Sequence, residues 1–93
     1  MAFGGNVFHM AQAPRRVGKY TAAVAEIVRD AAERLNLTHA AIAERTGIAR
    51  PTITKILTGD RAMDVEQLAL LANAIDMSVA DLLAAAEKRL LRG

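Results

Sequence analysis

From Gly18 to Leu91 the apolar residues recur every three or four positions, and no stretch alternates with period two for long enough to make a strand. That pattern confines the chain to helices. In the first segment, Gly18 to Asn36, the residues Tyr20, Val24, Ile27, Ala31 and Leu35 form a stripe that Val28 widens. Thr38 offers an N-cap hydroxyl for a short second helix ending near Thr46. Gly47 stands where that helix must stop, because glycine enters the left-handed conformation without a Cβ clash. A third helix starts near Ala49, with Pro51 in its first turn, where the missing N–H removes no intrahelical bond, and Thr58-Gly59-Asp60 ends it. Asp64 and Gln67 have the spacing of a capping box for a fourth helix, which carries Val65, Leu68, Ala69, Ala72 and Ile75 on its apolar face. Ser78 and Asp81 repeat that logic for a fifth helix through about Leu91, with Val79, Leu82, Leu83, Ala86, Leu90 and Leu91 apolar. Five helices with short links predict an all-α bundle.

Composition narrows what such a bundle can do. With 53% hydrophobic and 24% charged residues over 93 positions, the chain is globular and has the size of one domain. It has no cysteine, which excludes a disulfide framework, a Cys-ligated zinc finger and a thiol nucleophile, and fits a reducing cytoplasm. No run approaches the ~20 apolar residues that span a bilayer. The start of the chain lacks a basic segment followed by a long apolar one, so neither a secretory signal nor a membrane partner is expected. His9 and His39 have no helical i, i+4 partner, so no metal is expected. Ser78, the single serine, reads as a cap, and no strand precedes a glycine-rich phosphate loop. No cofactor and no enzyme activity are expected. The net charge of +2 permits nucleic-acid binding without demanding it, so the placement of the cations decides.

That placement is informative between His39 and Leu57. A pair of short helices crosses steeply when a small residue sits at their contact, a glycine permits the turn, and apolar side chains anchor the second helix. Ala43 is the small contact, Gly47 follows four positions on, and Ile42, Ile48, Ile53 and Ile56 are the anchors. The stretch from Leu37-Thr38-His39 through Arg45-Thr46-Gly47-Ile48-Ala49 to Ile56-Leu57-Thr58-Gly59 resembles the helix-turn-helix of the lambda-repressor/Cro-like family, also called the XRE family. The likeness continues through Leu68, Leu71, Ala72 and Ile75 to Met77-Ser78-Val79-Ala80-Asp81-Leu82-Leu83, and covers about Tyr20 to Leu83. It implies a five-helix lambda-repressor-like bundle that binds double-stranded DNA. Three positions depart from the family pattern. His39 stands at a usual glutamine, which in the family helps hold a phosphate or brace the recognition helix. Ala49 stands at a usual serine or threonine cap, and Leu57 at a usual polar residue.

On a wheel of ~100° per residue, Ala49, Ile53, Ile56 and Leu57 share one side of the third helix, and Arg50, Pro51, Thr54, Lys55 and Thr58 share the other. A recognition helix needs this division between a packed back and a donor-rich front. Base reading is assigned to Arg50, a candidate for bidentate contact with guanine, together with Pro51, Thr54 and Lys55. Phosphate contacts are assigned to Thr38 and His39 at the second helix's N-terminus, to Thr58 and Arg61, and to the cluster Arg15, Arg16 and Lys19. For Thr38 a plain helix cap is an equal alternative.

Residues 1–17 read as a mobile N-terminal arm, and residues 18–93 as the DNA-binding domain. Leu83, Ala86, Leu90 and Leu91 on the last helix exceed what a small core consumes and are assigned to a homodimer interface. The alternative is that this face folds back on helix one or on the arm, through Phe3 and Phe8. The functional expectation is a small cytoplasmic transcriptional regulator, a Cro- or immunity-repressor-like protein that represses from an inverted repeat. The alternative is an antitoxin or adaptor whose main task is binding a partner protein.

Overall fold

The computed structural model describes residues 17–92. Among them the chain is all-α, with α1 at Lys19–Arg34, α2 at His39–Thr46, α3 at Arg50–Leu57, α4 at Val65–Ala74 and α5 at Val79–Arg92. The five helices fall where the apolar spacing and the caps put them. The caps form as expected. The Thr38 hydroxyl accepts from the amide of Ala41 at 3.0 Å, and that of Ser78 accepts from the amide of Asp81 at 3.0 Å. Asp64 and Gln67 bond reciprocally at 2.7 and 3.1 Å, which satisfies two of the amides that open α4. Helix α3 starts at Ala49 with no side-chain cap and has Pro51 in its first turn.

The core is built from Val24, Val28, Ala31, Ile42, Ile53, Ile56, Leu57, Leu71, Ala72, Ile75, Leu82 and Ala86. Two helices differ in detail from the expected stripe. On α1 the buried line runs through Val24, Val28 and Ala31, while Tyr20 is 41% exposed and Leu35 is also exposed. Both lie at the ends of α1, Tyr20 in its first turn and Leu35 at its C-cap. On α4 Leu71 and Ala72 are fully buried, while Val65 in the first turn is 77% exposed and Ala69 is also exposed. Among the described residues no single helix is long and apolar enough to cross a membrane.

Helix α5 lies against α1, and the contacts advance together along both. The hydroxyl of Tyr20 donates to the carbonyl of Leu83 at 3.4 Å. Six residues further along each helix, Arg89 forks onto Glu26 at 3.1 Å and Asp30 at 2.8 Å. Donating to Asp30 first and to Glu26 second raises the pKa of that guanidinium. This packing takes up much of the apolar face of α5, through Leu82 and Ala86. Ala86, assigned above to a dimer interface, is instead fully buried in the chain's own core, and Leu83 is half-buried against it. Of that face only Leu90, at 36%, and Leu91, at 85%, remain exposed.

Candidate functional site

The α2–α3 unit depends on its turn. Gly47 sits at φ +78° and its amide donates to the carbonyl of Ala43 at 2.8 Å, which ends α2. Thr46 then locks the exit. Its buried hydroxyl donates to the Ile42 carbonyl at 2.8 Å and accepts from the amide of Ile48 at 3.1 Å. Ile48 is thereby held half-buried against the core. Beyond it, Ile53, Ile56 and Leu57 are buried, so α3 is pinned along one side.

The opposite side carries Arg50, Pro51 and Lys55, all exposed. After α3 the chain doubles back through Gly59 at φ +85°, and the Lys55 carbonyl accepts from the amides of Asp60 at 2.9 Å and Arg61 at 3.2 Å. That loop brings Arg61 to the end of α3 that carries Lys55. Among the described residues, no hydrogen bond or ion pair occupies the side chains of Arg50, Lys55 or Arg61. Three other arginines are committed to the fold. Arg29 of α1 donates to the Leu57 carbonyl at the end of α3, and Arg45 of α2 donates to the Ala74 carbonyl at the end of α4, at 2.8 Å. Each places a cation at the negative end of a helix dipole. Arg89 is held by the two carboxylates of α1. Of the cations without a partner among the described residues, Arg50, Lys55 and Arg61 stand together on α3 and the loop after it, while Lys19, Arg34, Lys88 and Arg92 lie on α1 and α5.

At the start of α2, Thr38 accepts with its oxygen and keeps its own hydrogen free, so capping and donating to an anion are compatible roles. His39 follows, and its Nδ1 lies 2.9 Å from the hydroxyl of Thr54 on α3. The histidine thus ties the start of α2 to the middle of α3.

Not every assigned residue joins this surface. Thr58 has the Thr54 carbonyl at 2.8 Å and the Lys55 carbonyl and an Asp60 carboxylate oxygen at 3.3 Å, so its exposed hydroxyl stands among acceptors at the end of α3. Lys19 opens α1, and about 22 Å of helix separates it from the end that leads into Thr38 and His39. It lies instead beside Leu90 and Arg89. Arg15 and Arg16 fall outside the described residues. Sequence reasoning missed Thr46, although a threonine directly before a turn glycine is a local signal that could have been used. It also missed the roles of Arg29 and Arg45, whose partners lie 28 and 29 residues away and leave no local trace.

A family model described as helix-turn-helix matches residues 28–82, more than half of the chain. No curated protein and no solved structure matches it.

Proposed function

The chain belongs to the lambda-repressor/Cro-like (XRE) helix-turn-helix family of DNA-binding regulators, and on that premise we propose that it is a repressor that occupies an inverted-repeat operator as a homodimer. The observation that carries this reading is the bare front of α3. Arg50, Pro51 and Lys55 are exposed without internal partners, over a back of buried Ile53, Ile56 and Leu57. In this reading α3 enters the major groove. Arg50, at its N-terminal end, donates to guanine O6 and N7, and Pro51 meets a thymine methyl. Lys55 reads a base edge or holds a phosphate. Thr38, His39 and the first amides of α2 take one phosphate, and Arg61 takes another. The exposed Leu90 and Leu91 of two copies meet, so that two α3 helices face half-sites about 34 Å apart.

The test is duplex binding over a salt series. Affinity should fall with salt at a slope of about −0.9 per phosphate neutralised. Arg50→Ala should lose preference for a selected site and keep weak general binding. Arg61→Ala should reduce the salt slope by about 1 while leaving the preferred sequence alone. Unchanged site preference in Arg50→Ala would remove Arg50 from base reading. Salt-insensitive or absent duplex binding would favour the antitoxin or adaptor role, for which Leu91, 85% exposed at the end of α5, is the available surface.

A further inference from the structure

The 2.9 Å contact between His39 Nδ1 and Thr54 Oγ1 has room for one hydrogen, and the atom that supplies it decides what the pair can offer to a ligand. We infer that Thr54 is a specificity-determining residue that reads a base amino group, adenine N6 or cytosine N4, as a hydrogen-bond acceptor. His39 is the positioning residue that fixes its hydroxyl. The inference rests on the DNA-binding reading above and sharpens it.

The two residues join two kinds of contact. His39 is the first residue of α2, at the end proposed to hold a phosphate, and Thr54 lies on α3 at the edge of its exposed front. Both are half-buried. A phosphate oxygen can only accept, so a phosphate held by His39 requires the hydrogen on Nε2. A neutral imidazole has one ring hydrogen, so Nδ1 is then a bare acceptor. Thr54 must fill it with its own O–H. Its single hydrogen is thereby turned inward, and toward a base it presents lone pairs alone. In the major groove such an atom pairs with the amino groups of adenine and cytosine. It meets only acceptors on guanine (O6 and N7) and on thymine (O4). A free threonine hydroxyl, able to donate or accept, would have no such preference. A glutamine in place of His39 satisfies the same logic, with its NH2 toward the phosphate and its carbonyl oxygen toward Thr54. Arg29, Asp30 and Glu33 of α1 line the groove beside His39.

Selection from a random duplex library, run on the full chain and its variants, tests the assignment. The unaltered protein should enrich adenine or cytosine at one position by about threefold to tenfold, the range of a single net hydrogen bond. Thr54→Ser and His39→Gln should keep that preference. Thr54→Val should lose it at that position only, with the Arg50-dependent position intact and an unchanged melting temperature. His39→Leu should lose it together with some general affinity. The inference is overturned if Thr54→Val leaves every preference in place, or if the position it alters favours guanine or thymine. If the unaltered protein enriches no sequence at all, the DNA-reading premise fails, which is a different result from either of those.

Discussion

The Thr46 hydroxyl is a small group with a large structural consequence. It satisfies a carbonyl of α2 and an amide of the turn at once, from a buried position. Replacing it with the isosteric valine keeps the packing volume and strands the Ile48 amide. Thr46→Val should therefore lower stability by about 1–3 kcal/mol in urea titrations, and Thr46→Ser by clearly less. Equal stability of valine and threonine would show that the turn does not rely on this bond. The spacing of Ile42, Ile53 and Ile56 was enough to foresee their burial, because each faces the core that the helices share. Tyr20, Leu35 and Val65 carry the same periodic signal yet remain exposed. Periodicity states which side of a helix is apolar, not how far along the helix its neighbours extend.

At the level of elements, two of the four links follow one plan. After α1 the amide of Leu37 bonds back to the Ala32 carbonyl at 2.8 Å, and after α4 that of Met77 bonds back to the Ala72 carbonyl at 2.9 Å. Between them Asn36 and Asp76 take left-handed conformations, at φ +56° and +59°, and Thr38 and Ser78 then cap the next helix. Asparagine and aspartate tolerate that conformation better than other residues with a Cβ. Asn36→Ala should cost about 1 kcal/mol and Asn36→Gly should be neutral or better, as read by thermal unfolding. Equal melting for alanine and glycine would remove the conformational explanation. The caps themselves were legible because a cap is a contact three residues long. The contacts that tie one element to another were not. His39 reaches Thr54 across 15 residues and Arg29 reaches Leu57 across 28, and neither partner changes the local pattern.

Across the whole molecule, core and proposed interface can be separated by substitution. Leu91→Asp should shift the proposed homodimer to monomer in sedimentation without lowering the melting temperature of the monomer, since Leu91 adds little to the core. Ala86→Leu should instead destabilise the fold by about 1–3 kcal/mol through overpacking, whatever the association state. A dimer that survives Leu91→Asp would move the interface elsewhere. The register between α1 and α5 bears on synthesis as well. Tyr20 and Glu26 each find their partner 63 residues later. The covering for α1 is thus made about 63 residues after it, so α1 leaves the ribosome with much of its apolar side unmatched until α5 follows. A chain cut short before Arg89 would leave open the side of α1 that α5 covers and should be prone to aggregate.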